Sequence, residues 1–223
     1  MPQDIKDIKQ KKIINTGYPY IENIKKRVKL NVSDGSILFA PSWLNEKNDL
    51  IEMYGEEIIS KLIEIDKVIF RPHPQSLIKS IKKIKKIQDK FKNNPKFLLN
   101  NNIDKIDVLN KSSILITDNG GMAMEYYILY KRPVICIEYK DKIHNMEYKK
   151  IKDKALEDNF KDTFTKKIKI DDISNLKDLI SNYSKNFSFN EKNLHNFLYE
   201  NGIIIDNVTE RSCKSIIDII EQN

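Results

Sequence analysis

The chain is poor in cysteine, glycine, histidine and tryptophan, with two, six, three and one in 223 residues. Cys136 and Cys213 form no C-x-x-C pair, and no Cys/His group has zinc spacing. A disulfide- or zinc-stapled fold is therefore set aside, and both thiols are expected as small buried apolar groups in a reducing compartment. No run of about eighteen apolar residues occurs, so no spanning helix is expected. Met1 to Lys12 is polar and charged, without the apolar stretch of a secretory leader. Neither G-x-G-x-x-G nor a P-loop is present. These absences lead to the expectation of a cytoplasmic protein that needs no metal or bound cofactor, with contact to a membrane surface left open.

What is present suffices for a folded core: 40% of residues are hydrophobic and 9% aromatic. The net charge of +7, from 39 basic against 32 acidic residues, would suit an anionic partner. It reads first as lysine on solvated helix faces. No nucleic-acid motif accompanies it, so nucleic acid is not expected as a partner.

Short β-rich runs alternate with amphipathic stretches. Strands are predicted at Ile37 to Ala40, Lys67 to Arg71, Lys96 to Leu99, Ser113 to Thr117 and Pro133 to Glu138, with a strand or strand remnant at Ile13 to Thr16. Helices are predicted at Glu46 to Ile65, Gln75 to Phe91, Asp104 to Lys111 and Met122 to Tyr130. Tyr139 to Lys167 reads as loop-rich, and residues from about Asp172 onward as helical. Asn207-Val208-Thr209-Glu210 has the capping-box pattern for a last helix. Strands alternating with helices imply an α/β fold: a Rossmann-like parallel sheet, doubly wound, with helices on both faces and a helical C-terminal tail. Residues 1–223 read as one domain.

In such a sheet, ligands bind beyond the carboxyl ends of the strands. The least bland segments of the chain sit there: Pro41-Ser42-Trp43, Arg71-Pro72-His73-Pro74 and Thr117-Asp118-Asn119-Gly120-Gly121. Two glycines before a helix let backbone amides approach an anion such as a diphosphate. Glu125, one turn into that helix, is placed to accept from ribose hydroxyls. The alternative is an ordinary turn in which Asn119 caps the helix. Arg71 offers a fork for phosphate, and His73 a donor or acid near neutral pH, in a backbone fixed by two prolines. Ser42 is a candidate nucleotide contact. Trp43 and the Tyr126-Tyr127 pair read as core, and His144 and His195 as surface.

Taken in order, these segments resemble the C-terminal domain of CDP-glycerol glycerophosphotransferases, the teichoic-acid and capsule polymerases with a GT-B-type fold. The resemblance rests on Thr16-Gly17-Tyr18-Pro19 with Glu22-Asn23, Ile37 to Trp43, Arg71 to Pro74, Leu115 to Asp118 with Glu125 and Arg132 to Ile135, and Thr209-Glu210-Arg211. It implies one half of a GT-B-type fold that binds a nucleotide-diphosphate donor such as CDP-glycerol. By resemblance Arg71 and His73 lie near the donor diphosphate, and Thr117, Asp118, Asn119, Gly120 and Gly121 hold its phosphates. Asn119-Gly120-Gly121 replaces the family's Tyr-Ser-Ser, which admits another CDP-alditol or a nucleotide sugar as donor. Gly-Gly followed by Glu125 also resembles the nucleotide loop of UDP-N-acetylglucosamine 2-epimerases. The resemblance further implies a polymer or lipid-linked acceptor held by a preceding domain. The chain is therefore expected to be a piece of a longer protein or a subunit needing a partner, inactive alone. A non-catalytic nucleotide-binding subunit is the remaining alternative.

Overall fold

The computed structural model describes residues 13–44, 49–102, 104–140, 147, 150 and 154–221. The chain divides into two compact units. The larger comprises Val28–Lys142 and Ala155–Phe189, and the smaller Met1–Arg27, Ile143–Lys154 and Asn190–Asn223.

The larger unit is built on six strands: β1 (Ser36–Phe39), β2 (Val68–Phe70), β3 (Phe97–Leu99), β4 (Ser112–Thr117), β5 (Val134–Glu138) and β6 (Lys166–Lys169). They pair in parallel in the order β3-β2-β1-β4-β5-β6. The register sets Ile37 between Val68 and Ile114, and Phe39 between Phe70 and Ile116. The central strands are apolar throughout because helices cover both faces, so neither face needs polar residues. Ile37, Phe39, Val68, Phe70, Ile114, Ile116, Ile135 and Ile137 point into one core. It is closed by α2 (Leu50–Ile65), α4 (Ile81–Phe91) and α8 (Leu176–Asn186). The alternate residues Leu38, Ile69, Leu115, Val134 and Cys136 are also buried. Beside β4 and β5 on that side lies α6 (Met122–Tyr130), packed against α5 (Ile106–Lys111) and α7 (Leu156–Phe164). The fold is the predicted α/β arrangement, a parallel sheet wound on both sides.

Several local expectations are corrected. Ile13 to Thr16 is not a strand. The helix predicted over Gln75 to Phe91 is two, α3 (Pro74–Lys79) and α4, broken at Ser80; no residue pattern accounts for the break. The stretch read as loop from Tyr139 to Lys167 holds α7 and the start of β6. In β6, Lys-Lys-Ile-Lys buries Ile168 alone, and lysines on an edge strand hide the apolar signal while blunting the edge. Lys167 is held there by Glu138 at 2.6 Å and Asp162 at 2.9 Å, which raise its pKa.

Arg132 serves the amino-terminal side of the sheet. Its Nη1 donates to the carbonyls of Asn110 and Ser112, and its Nη2 to that of Leu30 at 2.6 Å. The guanidinium thus satisfies carbonyls at the end of α5, which lack helical partners. Tyr126 and Tyr127 are core residues as expected. Burial pushes the Tyr126 hydroxyl up to about 12.

The smaller unit contains α1 (Pro19–Lys25), α9 (Glu191–Glu200) and α10 (Val208–Glu221). The amide of Tyr18 donates to Ile204 O at 2.8 Å. Gly17, at φ 110°, permits that approach, because a Cβ there would lie 2.6 Å from Ile204 O and 2.8 Å from Val208 Cγ2. The Glu22 carboxylate accepts from the amides of Val208 and Thr209, at 3.1 and 2.9 Å, and from the Thr209 hydroxyl at 2.6 Å. The start of α10 is therefore closed from α1, where the local pattern had pointed to a capping box. Cys136 is buried, and burial pushes its thiol up to about 11. Cys213 is exposed, contrary to expectation. His195 is exposed, and His144 lies outside the described residues.

Candidate functional site

The strand order reverses direction between β1 and β4. The chain runs outward from β1 through β2 to β3, returns to β4, and continues to β5 and β6. In open parallel sheets the ligand position lies at such a reversal, outside the carboxyl ends of the strands. The three punctuated turns follow β1, β2 and β4, which are neighbours, so all three lie on this rim.

They are tied to one another. The amide of Ser42 donates to Asp118 Oδ1 at 2.6 Å, and the Thr117 hydroxyl to Ala40 O at 2.7 Å. The amide of Arg71 donates to Phe39 O at 2.8 Å. The rings of Trp43 and His73 stand nearly parallel, 17° apart, with centroids 6.5 Å from each other. A Cβ on Gly120 would touch the Cβ of Ser42 at 3.3 Å. Ser42 and Trp43 are adjacent, so the imidazole and the glycine pair border one short segment. Trp43 is half-buried against His73 rather than in the core.

Each candidate residue has a distinct environment. Thr117 is buried, its hydroxyl taken by the sheet end. Asp118 is 3% exposed and orients the β1 loop through Ser42. Arg71, 8% exposed, turns Nη1 onto Asn100 Oδ1 and onto Asn102 O at 2.8 Å. It thus supports the loop after β3. His73 caps α3: its Nδ1 accepts from the Gln75 amide at 3.1 Å. In the neutral ring this places the proton on Nε2. Glu125 meets Lys105 at 2.5 Å, with side chains 13% and 18% exposed. Asp49 caps α2 by accepting from the Glu52 amide at 2.9 Å. Its carboxyl is raised above the usual range by burial first, with the Glu52 and Asp118 charges adding to it.

Asn119 does not cap α6. Its amide group donates to Lys140 O and its Oδ1 accepts from Lys161 Nζ at 2.6 Å. The cap position of that helix is Gly121, which has no side chain to close it. Gly121 has φ −62° and ψ −16°, ordinary helical values, so the glycine is not required by backbone strain. Its significance is space: a Cβ there would meet nothing within 4 Å among the described residues. A helix start with glycine at its cap and open space beside that glycine is a suitable seat for an anion.

The family model for CDP-glycerol:poly(glycerophosphate) glycerophosphotransferase matches residues 3–200. The chain belongs to this family. None of the curated proteins compared with it matches. A solved structure of UDP-GlcNAc 2-epimerase from Methanocaldococcus jannaschii, in complex with UDP-GlcNAc and UDP, superposes with a TM-score of 0.52 at 18% identity. The match covers 97% of this chain and 56% of that one. A further structure of the M. jannaschii enzyme gives 0.49 at 20% identity, covering 92% and 50%. At such identity the likeness is one of fold. The glycerophosphotransferase-family chain spans about half the length of the structures it matches.

Lys161 on α7 is the rim residue that sequence reasoning passed over. It lies in a stretch read as loop, although Leu156, Phe160 and Phe164 recur every fourth residue there and carry a helical signal. Among the described residues, no group of three or more His, Cys, Asp or Glu side chains is placed to hold a metal ion.

Proposed function

We propose that the larger unit binds the nucleotide-diphosphate donor, CDP-glycerol in the first instance, for a transferase that extends a cell-surface polymer of the teichoic-acid or capsule kind. The observation that supports this most is the meeting of three turns at the sheet's reversal point, with open space at Gly121, the cap position of α6. In this reading the diphosphate lies over Gly120 and Gly121, where amides and helix dipole favour negative charge. An acceptor hydroxyl oxygen attacks the phosphorus that bears glycerol. The new P–O bond forms as the bond to the bridging oxygen breaks, and CMP leaves with that electron pair. The acceptor's proton passes to a base. His73, with its proton on Nε2, donates to the phosphate oxygens that gain charge. Arg71 acts beneath it by holding Asn100 and Asn102.

We read the base and the acceptor-binding wall as lying in a further domain or partner chain, and the work as done in the cytoplasm at the inner membrane face. No described helix is long and apolar enough to cross a membrane. A second reading takes UDP-N-acetylglucosamine as substrate of an epimerase-like enzyme, favoured by Gly120-Gly121 with Glu125 and by the epimerase fold.

Calorimetric titration separates the two. CDP is expected to bind at least about tenfold more tightly than UDP, and the reverse order would transfer the assignment to the epimerase reading. His73→Ala is expected to weaken CDP by about tenfold, the cost of one hydrogen bond to a charged group. Unchanged CDP affinity in both His73→Ala and Gly121→Asp would remove the site altogether.

A further inference from the structure

The site has an electrostatic difficulty. Asp118 and Asp49, whose charges act on each other, are 3% and 0% exposed, and a diphosphate held over the glycine pair that follows Asp118 adds at least two negative charges. Buried charge of one sign needs compensation close at hand. Arg71, Lys105 and Lys161 are among the described cations near this rim. Arg71 is turned toward Asn100 and Asn102, and Lys105 toward the Glu125 carboxylate. Lys161 contacts the loop that carries the glycine pair, through the neutral Asn119 Oδ1 at 2.6 Å.

Lys161 is 8% exposed, an uncommon state for a lysine. Its carboxylate partner Asp158, at 2.7 Å, has a side chain 49% exposed. Water screens that pair from the Asp158 side, whereas the ammonium is enclosed beside the loop. Asn119 is held at both ends, by Lys161 and by the carbonyl of Lys140. The two residues after it are glycines, with no side chain to fix their path. Their path is held on one side by the anchored Asn119 and on the other by the first turn of α6, where the amides of Ala123 and Glu125 donate to Gly120 O and Gly121 O at 3.4 and 3.1 Å.

We propose that Lys161 is the positioning residue of the diphosphate subsite: through Asn119 it aims the Gly120-Gly121 amides, and its enclosed charge offsets that of Asp118. This rests on the donor-binding reading above. It names a residue on α7, outside every segment that carries the family resemblance.

The test is calorimetry on the whole chain with CDP, CMP and inorganic pyrophosphate as probes, comparing wild type with Lys161→Met and Lys161→Arg. Lys161→Met is expected to weaken CDP and pyrophosphate by about tenfold and CMP by less than about threefold, and to flatten the salt dependence of CDP binding. Lys161→Arg keeps the charge and is expected to stay within about threefold of wild type for all three. An equal loss for CMP and CDP, or unchanged CDP affinity, would reduce Lys161 to a structural lysine and overturn the proposal. If Lys161→Met fails to fold by circular dichroism, Asn119→Ala carries the test. It cuts the same tie and is expected to show the same diphosphate-selective loss; an unselective loss or none overturns the proposal. A wild-type chain that binds pyrophosphate but no nucleotide would end the donor reading while leaving Lys161 to be judged on pyrophosphate. One that binds neither would end both.

Discussion

Two helices of this chain begin in opposite ways. At α10 the first amides are closed by the Glu22 carboxylate from a segment far away in sequence, with the Thr209 hydroxyl added to the tie. At α6 the cap position is Gly121, which has no side chain, and Asn119, the cap expected from the sequence, is drawn aside to Lys140 and Lys161. Orphan amides at a helix start ordinarily recruit an acceptor from the chain. Where the chain supplies one, the helix end is structural. Where neighbouring side chains are diverted and space is left, the end remains available to an external anion. The family resemblance covers both places, so motif membership alone does not separate them.

The largest expected effect comes from converting the open start into a closed one. Gly121→Asp sets a carboxylate in the empty space before α6, at a position where aspartate is a favoured cap. CDP affinity is expected to fall at least about thirtyfold, while unfolding stability stays within about 1 kcal/mol of wild type. Denaturant unfolding and calorimetry on the same sample check both. A loss of binding matched by a loss of stability would mean that Gly121 serves the fold and not an anion.

Much of this was readable beforehand. The central strands are continuous apolar runs, Ile37-Leu38-Phe39, Val68-Ile69-Phe70 and Ile114-Leu115-Ile116, because a sheet covered on both faces leaves no polar alternation. Their parallel order then places the three turns on one rim without further information. The edge was not readable: the lysines of β6 mask a strand in which Ile168 alone is buried. Nor were the long-range ties. Glu22 lies 186 residues from Val208 and Lys161 lies 42 from Asn119, and local patterns carry nothing about such pairs. Nor does residue type show which groups at the site the chain itself engages. Thr117 and Arg71 look like phosphate ligands in sequence, yet the Thr117 hydroxyl and Arg71 Nη1 are engaged by the chain itself.

The closed end offers the converse test. Glu22→Gln keeps the shape and removes the charge, so α10 is expected to loosen while CDP affinity is unaltered. Hydrogen exchange over Val208–Glu221 reads the first and calorimetry the second. The Thr209 hydroxyl, then the amides of Thr209 and Val208, hold the Glu22 carboxyl below its ordinary 4.5. A lowered folded pKa means that the tie is fully present above 4.5 and fades as pH falls through the folded value. Wild type should therefore lose protection in α10 on acidification. The Gln variant, already loosened, should show little further change; an identical acid response would remove Glu22 from the account.

The smallest effect concerns a third helix start, α2, closed by Asp49. Its Oδ1 accepts from the Glu52 amide, but its Oδ2 is buried with no hydrogen-bond partner among the described residues. Burial, with the Glu52 and Asp118 charges adding to it, raises this carboxyl above its ordinary 3.8. The sign is the reverse of that for Glu22: the unfolded chain ionises more readily, so ionised Asp49 costs stability as pH rises from 3.8 through the folded value. Asp49→Asn retains an oxygen for the cap and removes the charge. Its melting temperature is expected to exceed that of wild type slightly at neutral pH, with the gain vanishing as pH falls below 3.8. A lower melting temperature at neutral pH would mean that the second oxygen accepts a bond as a carboxylate, and that this helix start, like α10, is closed by charge rather than by shape.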